Sequence, residues 1–339
     1  MLTQLESKYD PEAILIEPRR LIQFGKSSLV VSIPKDWSTK HKLKKGDLVY
    51  LEDKNPSLQI NPVPKEDFGS EIKEITIESD SKDVRMLQDA ITAAYINNYN
   101  VITVKGDNLK DHAQDVRHII HNLMALEIME QGANKIVAKD FLNMKQTSIP
   151  SLLRKMDLIT REMMLDLKKI KTEQDWINIH QRDEDVNRLS YLIYRAVRHA
   201  IQSGITSKEA KLSQLEIMDS MIIAMHIEHI GDGLKRIARL FADSSVPDQD
   251  RKSIFLLFEK VSKYYLDVMK SFFTSNIKDA LKLAMQKKDL IRECNNHFKE
   301  KNNSLWIVSA CYHIDHMVIA VNQIAKIVIL EKKEDDNLR

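Results

Sequence analysis

Glu228 and Asp232 stand four residues apart in a segment, Met221 to Phe241, whose apolar residues Ile223, Ile227, Ile230, Leu234, Ile237 and Phe241 recur by fours and threes. That period writes a helix with one packing stripe, and a spacing of four puts both carboxylates on one face. Stepping about 100° per residue from the stripe sets that face on roughly the opposite side, away from the core. Two like charges so placed repel unless something positive lies between them. Carboxylate oxygens are hard donors that suit Mg, Mn, Fe or Zn. Arg236 or Arg239 paired with Asp232 would neutralise the pair without a metal. A second acidic set, Asp183 and Asp185 with Asn187, opens the helix that begins Val186-Asn187-Arg188-Leu189, and its later counterpart is Asp289 with Glu293. His226, His229, His313 and His316 lie beside these segments and read as surface or capping groups.

A different chemistry is written near the start. Arg19, Arg20, Lys26, Lys35, Lys40, Lys42, Lys44 and Lys45 crowd one short stretch that Glu17, Asp36 and Asp47 offset only weakly. Across the chain 51 Lys and Arg oppose 49 Asp and Glu, a net charge of +2, so any nucleic-acid surface must be local. The elements under this charge are short strands. Leu21–Phe24 alternates, Gly25-Lys26-Ser27-Ser28 turns, and Leu29–Ile33 forms a second strand that Pro34 stops for want of an N–H. Lys35-Asp36-Trp37 is one helical turn, and Lys45-Gly46-Asp47 re-enters a strand at Leu48–Leu51. Such a unit is too small to bury a core alone, and pairing with a second copy is its natural remedy.

Beyond the stiff Asn61-Pro62-Val63-Pro64 linker the pattern changes twice. Glu74–Glu78, Val101–Val104 and Lys135–Ala138 read as strands, with helices over Asp83–Asn97 and Ala113–Ile128 between them, a small βαβαβ sheet. From Ser151 the chain is almost wholly helical. Val246-Pro247-Asp248 breaks it, and a second helical set runs from Lys252 to Leu330. The two sets form a repeat of about 90 residues, in which Glu228-x-x-x-Asp232 answers Asp315-x-x-x-Ile319.

Composition removes several function classes. Eight glycines and eight prolines in 339 residues favour long helices. No phosphate-cradling glycine loop, GxGxxG or GxSxG motif occurs, which weighs against a nucleotide-driven or serine-nucleophile enzyme. Paired metals on the acidic face could activate water, but no enclosed nucleophile or acid–base set accompanies them, so no enzyme is expected and no catalytic residue is named. Cys294 and Cys311 make neither a zinc spacing nor a disulfide framework and read as packed thiols. Leu305–Leu330 is the most apolar segment, but His313, Asp315, His316, Asn322 and Lys326 interrupt it, and Met1–Glu17 lacks a signal-peptide core. A soluble cytoplasmic protein without membrane insertion is expected.

Two resemblances sharpen this. Gly25, the strand ending Ile33-Pro34-Lys35, and Leu43-x-x-Gly46-Asp47-x-Val49 resemble the AbrB/MazE (SpoVT-AbrB) swapped-hairpin DNA-binding domain over residues 17–63. The Gly-to-Pro interval is longer than in the bacterial form, with Ser27 and Ser28 as the extra residues. The resemblance implies a dimeric barrel of interlaced hairpins. It also implies that Arg19, Arg20, Lys26 and Lys35 grip double-stranded DNA, with Ser27 and Ser28 donating to phosphates.

Helix count, repeat and acidic spacing resemble the PhoU family, whose two three-helix bundles carry E/D-x-x-x-D motifs and damp phosphate uptake. Carried over by motif, one divalent or iron metal site would be Asp183, Asn187, Glu228 and Asp232, with Asn187 in place of a carboxylate. A second would be Asp289, Glu293 and Asp315, degraded by Ile319. The fold expected is multidomain and mainly α. It comprises a dimeric swapped-hairpin barrel (17–63), a small α/β domain (67–145) and two tandem PhoU-like three-helix bundles (150–245 and 250–333). Taken together the resemblances imply an archaeal-type transcriptional regulator of phosphate uptake. Its bundles would sense phosphate status through metal, ligand or transporter contact. The alternative is a PhoU-type adaptor without DNA function that docks on a phosphate transporter ATPase or a sensor kinase.

Overall fold

The computed structural model describes residues 18–53, 57–62, 72–202, 212–242, 247–300 and 305–330. The chain divides into two compact units, Met1–Glu71 and Ile72–Arg339. In the first unit β1 (Ile22–Phe24) pairs antiparallel with β2 (Ser28–Val30), and Gly25 at φ +72° lets the chain reverse between them. The expected strand to Ile33 stops at Val30. Its partner β1 begins only at Ile22, opposite Val30, so Val31–Ile33 have no ladder to join in this chain. Helix α1 (Lys35–Lys40) follows Pro34 and ends where Lys42 turns left-handed. At Lys45-Gly46-Asp47 the reversal is built by Gly46 at φ +98° and by the Asp47 carboxylate, which accepts from the Lys44 N–H at 2.6 Å. Strand β3 (Tyr50–Asp53) then pairs with β4 (Leu58–Asn61), two residues later than the expected Leu48–Leu51. The remainder of the expected linker, Val63 and Pro64, lies outside the described residues.

The second unit opens with a four-stranded sheet, β5 (Glu74–Glu78), β6 (Val101–Lys105), β7 (Leu126–Gln131) and β8 (Lys135–Asp140), in the order β5-β6-β8-β7. Strands β5 and β6 are parallel, and the other two pairings are antiparallel. Helices α2 (Val84–Ile96) and α3 (Leu109–His121) pack on the sheet and on each other over Ile77, Ile102, Val104, Ile136 and Ala138. Asp83 caps α2 by accepting from the Met86 N–H at 2.8 Å. The expected βαβαβ order is therefore corrected to βαβαββ. The helix expected to reach Ile128 ends at His121, because Val116, Ile119, Leu123 and Leu126 keep helical spacing across a turn. Ala125 at φ +60° makes that turn, and Leu126 onward is strand.

Six long helices complete the unit: α4 (Ile149–Leu167), α5 (Glu173–Gln202), α6 (Gln214–Ala242), α7 (Asp248–Phe273), α8 (Ile277–Glu300) and α9 (Leu305–Leu330). Their starts are chemically marked. Ser148 caps α4, and Ser213 and Glu216 exchange side-chain-to-backbone bonds at 2.6 and 3.2 Å as a capping box for α6. Asn276 accepts from the Asp279 N–H at 3.0 Å to start α8. Helices α4–α6 pack together, as do α7–α9, and the two trios meet along α6 and α9. The stripe Ile223, Ile227, Ile230, Leu234, Ile237 and Phe241 is wholly buried, in one core that spans both trios. By length and composition α9 could cross a membrane, yet here it is a core helix against α6, α7 and α8.

Candidate functional site

The acidic cluster of the first trio forms where α5 and α6 cross. The helices are close there: a Cβ at Gly231 would sit 3.4 Å from Asp183 Oδ1 and 3.5 Å from Val186, in ordinary contact. Asp183 is not at a helix start, as the sequence pattern implied. Helix α5 begins ten residues earlier, capped by the Asp175 carboxylate at the N–H groups of Lys171 and Thr172, and Asp183 lies mid-helix with 1% of its side chain exposed. Nor do Glu228 and Asp232 stand out in solvent. Their side chains are only 25% and 31% exposed, because α5 covers the face that a lone helix would present to water.

The structure brings Asp183, Asn187, Glu228 and Asp232 to one place and adds a residue the sequence reading passed over. Lys235 Nζ lies 2.5 Å from Asp183 Oδ2 and 2.6 Å from Asp232 Oδ1, bridging α5 and α6. The Asn187 amide also donates to Asp183 Oδ2, at 3.4 Å, while Asp183 Oδ1 and Asn187 Oδ1 are buried without a hydrogen-bond partner. A signal for Lys235 was present: it is three residues after Asp232 and seven after Glu228, on their helix face. Arg239 instead lies over the Trp176 ring at 5.7 Å.

Electrostatics follow from burial and from this one cation. Burial pulls the Lys235 ammonium toward neutrality, but its hydrogen bonds to Asp183 and Asp232 more than reverse that, and its pKa rises. For Asp183 burial raises the pKa and Lys235 lowers it, with a net rise. The two directions conflict over which form the pair takes. The 2.5 Å contact favours the ion pair, because a neutral acid would leave the ammonium half-buried with one counterion fewer. Glu228 meets only the exposed His229 imidazole, at 3.7 Å. Burial, then Asp232 and Asp183, lift it to about 7. Burial, then Glu228, raises Tyr191 and Tyr194 nearby, the latter to about 12.

A resident metal does not fit this set as it stands. The place shared by Asp183 and Asp232 is taken by an ammonium, and Asn187 turns an N–H toward Asp183. Among the described residues no group of three or more His, Cys, Asp or Glu side chains is arranged to hold a metal ion. The second expected set is dispersed. Asp289 is exposed and pairs with Arg292 on its own helix at 3.2 Å, and Glu293 bridges to Lys260 of α7 at 2.6 Å. Asp315 is half-buried with Oδ1 unpartnered, its pKa raised by burial. Cys294 and Cys311 are free, buried thiols that burial lifts to about 12 and about 11, as their apolar surroundings implied.

Two polar links were invisible in the sequence. Arg195 of α5 is buried and pairs with Asp140 at the end of β8 at 2.5 Å. It also donates to the Tyr95 carbonyl at 3.1 Å and lies over the Tyr95 ring at 4.5 Å, fastening sheet to bundle. Tyr265 of α7 donates to Asp157 of α4 at 2.8 Å, and Arg161 pairs with the same carboxylate at 2.9 Å, joining the two trios. A cavity of about 640 Å³ opens between the ends of α4 and α6 and the start of α7. Among the described residues its lining carries Lys168, Lys171, Arg251 and Lys252 beside Phe241 and Phe255, with Asp248 as the one carboxylate.

In the first unit Arg19, Arg20, Lys26, Ser27, Ser28 and Lys35 are all exposed. So are Leu21, Ile22, Phe24, Leu29, Leu48 and Leu51, and no apolar side chain of residues 18–53 or 57–62 is buried. Neither the curated proteins nor the solved structures yield a significant match to the chain. The family comparison does: residues 153–241, which run through α4, α5 and α6 and contain Asp183, Asn187, Glu228, Asp232 and Lys235, match the PhoU domain.

Proposed function

We propose that the chain is a DNA-binding transcriptional regulator of phosphate uptake, in which a PhoU-type helical unit biases an N-terminal DNA reader. One observation carries the reading: a stretch that matches the PhoU domain is joined in a single chain to a unit whose described residues display both basic and apolar side chains and bury no apolar one. The PhoU domain supports a role in phosphate homeostasis. The first unit has the features of an obligate partner-seeker, since two isolated two-stranded sheets do not hold together in water. A second copy interlacing its hairpins would cover Leu21, Phe24, Leu29 and Leu51. Lys26 at the tip of the β1–β2 hairpin and the exposed Arg19, Arg20 and Lys35 beside it would neutralise phosphates, with Ser27 and Ser28 as donors.

An effector must bind two arrangements of the helices unequally or it shifts nothing. The cationic cavity between α4, α6 and α7 is the place where an anion would do so, because it touches both trios. The test is fluorescence anisotropy with DNA from upstream of the chain's own gene and of phosphate-transport genes, across a salt series. The reading requires affinity that falls steeply with salt and is lost in Arg20→Ala/Lys26→Ala. Weak, sequence-indifferent binding that ignores the substitutions would discard the DNA reader. An adaptor docking on a transporter ATPase or sensor kinase would then stand. The exposed Met218, Met221 and Met225 on α6 favour that second reading as an adaptable docking surface.

A further inference from the structure

We propose that Lys235 is the built-in cation of the α5–α6 acidic cluster, standing where a divalent ion would otherwise sit, so that this trio of helices is closed to metal. The ammonium meets Asp183 Oδ2 at 2.5 Å and Asp232 Oδ1 at 2.6 Å, one acceptor from each helix, the cross-link a bound ion would provide. A metal placed on the same oxygens would stand within contact distance of an ammonium. Like charges that close, on a carboxylate that is 1% exposed, exclude one another.

What remains around Lys235 is the rest of a hard donor set. Asp183 Oδ1 and Asn187 Oδ1 are buried acceptors without a protein donor, and the half-buried Glu228 meets only the exposed His229 imidazole at 3.7 Å. A lysine reaches two of these oxygens where a metal would gather four to six. The lone pairs left over are the residue of that difference. The second trio offers no substitute, because Asp289 and Glu293 are engaged by Arg292 and Lys260, and no group of three or more such side chains is arranged to hold a metal among the described residues. The inference is independent of whether the chain reads DNA.

Full-length protein, stripped with chelator and desalted, is titrated with Mn2+ by calorimetry and electron paramagnetic resonance, and its metal content is measured after purification. Wild type is expected to carry no stoichiometric metal and to melt at the same temperature with or without EDTA. Lys235→Met keeps the aliphatic stem and removes the charge. It is expected to gain one Mn2+ site, tightened on the order of 100-fold over wild type, and Asp183→Asn in the same background is expected to abolish it. Stoichiometric metal in wild type that is lost with Asp232→Asn overturns the proposal. So does a folded Lys235→Met that takes up no more Mn2+ than wild type. Should Lys235→Met fail to fold, the wild-type arm decides alone: metal-free and EDTA-indifferent upholds the built-in cation, and metal-loaded overturns it.

Discussion

A single side chain decides what the acidic cluster is. The spacing of Asp183, Asn187, Glu228 and Asp232 is readable from the sequence, and the structure does bring them together. Their depth was not readable, because periodicity within α6 places Glu228 and Asp232 opposite its core stripe and says nothing of α5 arriving to cover them. Lys235 was overlooked because two arginines nearby competed for the role. With Lys235 spent on Asp183 and Asp232, Glu228 is the unpaid member, and its pKa of about 7 sets a pH dependence. In the unfolded chain Glu228 titrates near 4.5. Between those values the folded protein holds a proton that the unfolded chain has released, so the contribution to stability is full below 4.5 and is lost as pH rises through 7. Glu228→Gln should therefore melt much like wild type at pH 4 and higher than wild type at pH 8, by up to roughly 2–3 kcal/mol in unfolding free energy. Parallel melting curves of the two proteins from pH 4 to 8 would refute the shift.

At the scale of elements, the helices and most strands follow from local pattern, whereas their ends and joints follow from contacts. Helix α3 was overextended since its apolar spacing runs on into β7, and only the left-handed Ala125 and pairing with β8 separate the two. Joints are less legible still. Gly233 of α6 has no sequence signal beyond being a glycine, yet a Cβ there would lie 2.7 Å from Met317 Cγ and 3.1 Å from its Sδ on α9. Gly233→Val should cost about 1–3 kcal/mol by overpacking, and Met317→Ala in the same protein should recover part of that loss. Equal losses in the single and double variants by urea unfolding would mean that the two helices do not meet there. The sheet-to-bundle joint is an ion pair instead. Arg195→Met strands a buried Asp140 carboxylate and should cost about 3–5 kcal/mol, while Arg195→Met/Asp140→Leu should cost much less. If the double variant is as unstable as the single, the joint is packing around Tyr95 and the charge is incidental.

Over the whole molecule the two units solve the problem of burial differently. Residues from 72 onward enclose two continuous cores, one under the sheet and one through six helices. Among its described residues the first unit encloses none, although its turn glycines and exposed basic residues agree with the sequence pattern. Its described residues leave eleven large apolar side chains open to water between Leu21 and Leu58, and each exposed Leu or Phe forgoes roughly 1.5–3 kcal/mol of burial. Composition could show that deficit but not its cure, because a partner's strands leave no trace in the order of one chain. The proposed reading cures it with a second copy. It follows that the full chain should sediment at twice its 39.3 kDa. Phe24→Asp/Leu51→Asp, which changes no basic residue, should return it to a monomer while leaving the melting of the helical unit in place. The same variant should lose DNA affinity even though Arg19, Arg20, Lys26 and Lys35 are intact, because two half-surfaces held together bind with the effective concentration that one alone lacks. A dimer that survives those substitutions would place the self-association in the helical unit and leave the hairpins' apolar face for a different partner. A monomeric variant that still binds DNA as tightly as wild type would make the reader a single hairpin and the second copy unnecessary to it.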